Sequence, residues 1–136
     1  MAMPARRDKP YELSHNSAMR LKDIDPRLIE LVEEILWYID VSVIEGRRTL
    51  DRQKELYREG KTKTMNSKHL IGKAVDLYPY PVPRLPNGEI DSNAKAWNTM
   101  GEVALKCAGA LGLPEIMWGG LWTSFVDKPH FEIEEL

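Results

Sequence analysis

The apolar residues Leu28, Leu31, Val32, Ile35, Leu36 and Ile39 recur at the spacing of one helical face, and the very next segment, Val41-Ser42-Val43-Ile44, is short and β-branched. A buried helix feeding directly into a strand commits the chain to a mixed architecture. Asp25-Pro26 is a strong start for that helix, because Asp satisfies free N–H groups and Pro suits the first turn; the pattern predicts helix to about Tyr38. Glu45 to Thr49 then turns out of the strand. Thr49 or Asp51 can cap a second helix that runs through Gln53, Leu56 and Tyr57 and stops at Gly60. Ala74-Val75-Asp76-Leu77-Tyr78 reads as a second strand. Four prolines between 79 and 86, followed by Asn87-Gly88, exclude regular structure until about Ile90. This segment suits either a substrate-side lid or a rigid crossover. A third helix opens at Asp91 or Ser92 and ends at Gly112, with Trp97, Met100, Val103, Ala104, Cys107 and Leu111 on its inner side. Ile116–Trp118 and His130–Ile133 are the last two strand candidates.

The expected fold class is therefore α+β: a single domain over 1–136 with a small, mainly antiparallel sheet packed against helices. Residues 1–13 read as a loose lead-in and 61–68 as a loop. A chain of 136 residues can bury a core without disulfide help, and its one cysteine, Cys107, allows no internal disulfide. In an Ala-rich helix Cys107 reads as a small core residue rather than a catalytic thiol. A net charge of -2 and a pI near 5.9 give no basic excess for nucleic acid. No segment approaches the length of a membrane span, and the N-terminus lacks the apolar run of a secretory signal. The expectation is a protein made in the cytoplasm, without membrane insertion and monomeric, that needs delivery if its substrate lies outside.

The chain has three histidines. His69 lies in Ser67-Lys68-His69-Leu70-Ile71-Gly72-Lys73-Ala74-Val75-Asp76, and His130 in Asp127-Lys128-Pro129-His130. A catalytic zinc takes three protein ligands and keeps one open position for water; His69, Asp76 and His130 supply that number and chemistry. Strand alternation sets Ala74 and Asp76 on one face and Val75 and Leu77 on the other, and the small Ala74 leaves room beside the carboxylate. Taken alone, these residues also fit two surface imidazoles and an exposed charge. His15 stands outside these motifs and reads as a surface or capping residue.

Ser67, His69, Gly72, Ala74 and Asp76 at this spacing, followed by Asp127-x-x-His130, resemble the signature of the D-alanyl-D-alanine carboxypeptidase family of zinc peptidases. That family includes VanY-type carboxypeptidases and the L-alanyl-D-glutamate endopeptidases of bacteriophage endolysins. Ser14-His15-Asn16-Ser17 with Pro26-Arg27-Leu28 resembles the N-terminal segment of the endolysin branch. Glu45-Gly46-Arg47-Arg48-Thr49 resembles a Gly-x-Arg-Ser element with Thr in place of Ser, and Trp118-Gly119-Gly120-Leu121-Trp122 a Trp-Gly-Gly-x-Trp element. The resemblance runs from about 14 to 133. It implies zinc on His69, Asp76 and His130 at the sheet face, Asp127 as general base, and Arg48 (with Arg47 as competitor) facing the substrate. It implies Ser67 as support for a ligand; Trp118 reads as core before groove, and Trp122 as a wall of the substrate groove before core. Asp rather than Glu at the base position favours the endopeptidase branch, cutting between L-alanine and D-glutamate of the peptidoglycan stem peptide. A D,D- or L,D-carboxypeptidase is the alternative, and a non-catalytic metal-containing wall-binding module a third reading. For a phage lysin, a compact enzyme without a wall-binding domain fits a thin, Gram-negative type wall and release through a holin-type pore.

Overall fold

The computed structural model describes residues 3–62 and 64–135; the first two residues of the lead-in and one residue of the 61–68 loop lie outside them. Helix α1 spans His15–Arg20 and α2 Pro26–Ile35; strand β1 spans Val41–Glu45, α3 Leu50–Arg58, β2 Ala74–Pro79, α4 Lys95–Ala110, β3 Ile116–Trp118 and β4 His130–Ile133. Single turns of 3₁₀ helix occupy Lys68–Ile71 and Gly119–Leu121. The strands form one sheet in the order β1-β2-β4-β3, with every neighbouring pair antiparallel, as expected of the α+β reading.

Asp25 caps α2 by accepting from the Arg27 N–H, and Pro26 opens the helix. Leu28, Leu31, Val32 and Ile35 are fully buried, each contributing about 1.5–3 kcal/mol on removal from water. The helix ends three residues before Tyr38, because residues 36–39 continue only as turns whose N–H groups reach back to Val32, Glu34 and Ile35. Thr49, not Asp51, caps α3. The third long helix starts at Lys95 rather than at Asp91 or Ser92: the Asp91 carboxylate accepts from the Asn93 N–H in a local turn, and its carbonyl accepts from the Trp97 indole at 2.8 Å. That competing use of Asp91 holds residues 91–94 out of the helix.

One face of the sheet is core. Val41, Val43, Val75, Leu77, Ile116, Trp118, Phe131 and Ile133 are buried there, together with α2 and α4. The alternating residues point the other way, and on β2 and β4 these include Asp76, His130 and Glu132. Edge strand β1 is covered by α1: the buried Ser17 hydroxyl accepts from the Val43 N–H at 3.0 Å, and Arg20 donates to the Val43 carbonyl. The lead-in has no helix or strand over 3–14 but is tied to the body. Arg7 and Tyr11 donate backbone hydrogen bonds to Trp37 and Leu36, and the Arg6 guanidinium sits 4.2 Å over the Trp37 ring. The Pro-rich excursion closes on itself through an isolated bridge between Arg84 and Ile90.

Trp118 lies on the core side, stacked on Phe131 and 5% exposed. Its indole leaves no room for a side chain at Gly101 of α4, where a Cβ would stand 2.1 Å from the ring. Glycine inside a helix normally costs about 1 kcal/mol relative to alanine, so a Gly101→Ala change would ordinarily stabilise. Here overpacking, worth about 1–3 kcal/mol, opposes that gain. Gly101→Ala is expected to lower the melting temperature in thermal unfolding; an increase would contradict this packing.

Candidate metal centre

The register of the sheet builds half of the site. Asp76 on β2 pairs directly with His130 on β4, and Ala74 with Glu132, so the side chains of each pair emerge side by side on the same face. Asp76 Oδ1 lies 3.0 Å from His130 Nδ1. The third residue arrives from the turn before β2. Ser67 caps this turn by accepting from the His69 N–H at 3.2 Å, and Gly72 closes it in the left-handed conformation, φ +71°, where a side chain would be strained. The turn delivers His69 with its Nε2 at 3.3 Å from Asp76 Oδ1. The two imidazole centroids are 5.1 Å apart in edge-to-face geometry. One ligand atom from each of His69, Asp76 and His130 lies within 4.8 Å of the others, and both histidines are buried. These three residues can hold a metal ion.

Each imidazole is engaged on its far side. His69 Nδ1 is 2.8 Å from the Gly46 carbonyl, and His130 Nε2 is 2.8 Å from Glu132 Oε1. Such outer hydrogen bonds orient metal-binding histidines. Burial opposes ionisation of the Asp76 carboxyl, but hydrogen bonds from His130 and His69 outweigh it and hold the group well below the usual carboxylate range. For His130 burial disfavours the charged ring, yet Asp76 on one nitrogen and Glu132 on the other prevail and push its pKa up to about 9.

Arg48 adjoins His69. Its backbone N–H donates to the His69 carbonyl at 2.8 Å. Its guanidinium is held by Glu45, by Gln53 Oε1 at 2.7 Å and by Ser67 Oγ at 3.4 Å, with 11% of the side chain exposed. Arg47 is exposed. Gln53 is fully buried and also donates to the Thr64 carbonyl at 2.6 Å, pinning the segment before Ser67 to α3. Ser67 thus touches both the His69 turn and Arg48.

Asp127 ends the loop that leaves the Gly119–Leu121 turn. Its N–H donates to the Gly119 carbonyl, and its own carbonyl accepts from the His130 N–H. Its carboxyl is raised from its ordinary value, first by burial and then by the nearby Asp76 charge. Trp122 sits beside the site, ring centroid 5.3 Å from that of His130. Trp118 does not line the open face; it supports the site from below by donating its indole N–H to the Lys128 carbonyl at 2.7 Å. His15 is an exposed first residue of α1, whose cap is Ser14. Cys107 is buried, and burial raises its thiol to about 11, which suits a core residue.

Reading the sequence missed Glu132, Glu45, Gly46 and Gln53. Glu132 follows His130 at the strand period of two, which was the available signal. Gly46 acts through its carbonyl, a contact that residue type does not reveal, and the position has no room for a side chain because a Cβ would stand 2.0 Å from the Arg20 carbonyl oxygen.

Residues 9–134 match the phage L-alanyl-D-glutamate peptidase family. The chain is 31% identical over 94 residues to the L-alanyl-D-glutamate peptidase of Listeria phage A118, covering 69% of this chain and 30% of that protein. It is 35% identical over 106 residues to the peptidoglycan L-alanyl-D-glutamate endopeptidase CwlK of Bacillus subtilis, covering 70% and 61%. The chain thus spans less than two thirds of the length of these relatives. The crystal structure of the Serratia marcescens L-Ala D-Glu endopeptidase ChiX superposes with a TM-score of 0.75 at 28% identity over 90% of each chain. The chain belongs to the phage L-alanyl-D-glutamate peptidase family.

Proposed function

We propose that this chain is a zinc-dependent peptidoglycan hydrolase that cleaves the bond between L-alanine and D-glutamate in the stem peptide. The observation that carries the reading is the convergence of His69, Asp76 and His130 on one point with the far nitrogen of each imidazole already engaged. Two nitrogens and one carboxylate oxygen match the donor chemistry of a catalytic zinc site and leave a position open. Two neutral imidazoles and one carboxylate would leave a divalent ion with one net positive charge. Zinc in such a site supplies Lewis acidity and brings the pKa of a water from about 15.7 towards about 7. The names of the Listeria phage and Bacillus relatives and of the Serratia enzyme support the choice of bond.

The remaining roles fall to residues around the donors. Asp127 takes the proton of the attacking water and returns it to the leaving amine. Its raised pKa brings it closer to the neutral range in which a general base works best. Glu132 is not suited to that task, because His130 engages one of its oxygens and Lys68 the other. Arg48, fixed by Glu45, Gln53 and Ser67, binds a substrate carboxylate or the developing oxyanion. Trp122 forms a wall of the substrate groove beside His130. The described residues include no helix long and apolar enough to cross a membrane, and the proposed site of action is the cell wall.

Digestion of purified peptidoglycan followed by mass spectrometry tests the reaction. The expected product carries a new N-terminal D-glutamate, disappears with chelator and returns with zinc. Release of free D-alanine would instead make the chain a carboxypeptidase, and no release would contradict hydrolysis. Asp127→Ala is expected to keep its zinc and lose about 10²–10⁴-fold in rate; an unchanged rate would remove Asp127 from the mechanism. His69→Ala is expected to lose bound zinc by elemental analysis, together with the gain in thermal stability that zinc gives the native chain. A full complement of zinc in that variant would contradict the ligand assignment.

A further inference from the structure

One ion pair bridges the two histidine arms of the site. Lys68, the residue before His69, reaches across to β4. Its Nζ lies 2.9 Å from Glu132 Oε2 and donates to the Ile133 carbonyl at 2.7 Å. The other Glu132 oxygen meets His130 Nε2 at 2.8 Å. The pair is largely sheltered, with 33% of the Lys68 and 17% of the Glu132 side chain exposed. Backbone hydrogen bonds brace the same junction: the Lys73 N–H donates to the Lys68 carbonyl, and the Ile133 N–H to the Lys73 carbonyl.

Resting on the metal-binding reading above, we propose that Lys68 and Glu132 are a positioning pair that sets the metal affinity of the site by fixing which nitrogen His130 presents. An ionised carboxylate only accepts hydrogen bonds, so the ring nitrogen facing Glu132 carries the hydrogen. The lone pair of the neutral ring is then on Nδ1, which faces Asp76 and His69. If the ring turned over or shifted its hydrogen, it would direct an N–H into the gap between the donors. Lys68 holds the Glu132 carboxylate in place, and being adjacent to His69 it ties the orientation of one imidazole to the turn that carries the other. Neither residue touches the proposed ion or the reacting atoms. Their effect runs through His130.

The test uses the full chain and zinc itself, with three readouts: zinc affinity by competition with a chromophoric chelator, the visible absorption of the cobalt-substituted protein, and the melting temperature of the metal-free protein. Glu132→Ala is expected to weaken zinc binding about 10–100-fold, the usual scale for loss of a group that orients a ligand, and to alter the cobalt spectrum. Lys68→Met is expected to weaken it less, and to have little further effect once Glu132 is gone, because the two act as one unit. Lys68→Arg restores most of the affinity. These losses should exceed anything a drop in metal-free melting temperature explains. Should Glu132→Ala fail to fold, Glu132→Gln replaces it, retaining an acceptor oxygen and losing the charge that Lys68 grips; it is expected to bind zinc several-fold more weakly. Native zinc affinity in the Glu132 variant, or Lys68 and Glu132 losses that simply add, would overturn the proposal. A native chain that takes up no zinc at all would overturn the metal-binding reading itself, a result distinguishable from either.

Discussion

The pairing of β2 with β4 is the constraint on which the rest depends. It joins residues 54 positions apart in the chain and sets Asp76 opposite His130 at 3.0 Å. Because side chains alternate across a strand, the same register turns Val75 and Phe131 into the core and Asp76, His130 and Glu132 onto the open face. A shift of one residue would bury the acids and expose the apolar pair. The core therefore enforces the site: the apolar residues that drive the two strands together leave only one arrangement for the polar ones. The third arm, His69, depends on the same region, since its turn runs directly into β2 and its carbonyl receives the Arg48 N–H.

Electrostatics complete that arrangement. A carboxylate and two imidazoles converge here, and hydrogen bonds from His130 and His69 hold the Asp76 carboxyl well below the usual carboxylate range despite its burial. Around it a second layer balances charge. Lys68 faces Glu132 and Arg48 faces Glu45; elsewhere Arg27 gathers Asp25, Glu115 and Glu135 at the start of α2. Breaking one partner of a sheltered pair is costlier than removing both, because the charge left behind has lost its water as well as its counter-ion. The site is accordingly held by several elements at once: α3 through Gln53, the turn through Ser67, and β4 through Glu132.

The sequence revealed the parts of this arrangement that rest on local pattern. Helical spacing marked the buried face of α2, the β-branched run marked β1, and the alternation in Ala74–Leu77 correctly separated the core side from the side bearing Asp76. The motifs around His69 and His130 placed two arms that no local pattern could bring together. What was not legible depended on tertiary competition. The start of α4 moved to Lys95 because Asp91 is used in a turn and as an acceptor for Trp97. The lead-in reads as featureless, yet Arg6 and Tyr11 find partners on α2 and the turns that follow it. Trp118 reads first as core and second as groove, and the ring pressed on Phe131 and Gly101 bears out the core reading. Glu132 reads as an ordinary outward strand residue; its link to His130 and Lys68 appears only when β4 lies beside the turn before β2.

The central claim is that His69, Asp76 and His130 grip one divalent ion. A crystal structure of the zinc-loaded chain, with anomalous differences measured on both sides of the zinc absorption edge, tests it most directly. The account predicts a single strong peak bonded to His69 Nε2, Asp76 Oδ1 and His130 Nδ1 at about 2.0–2.2 Å. A zinc peak bound elsewhere, or one that leaves out any of these three side chains, would contradict it.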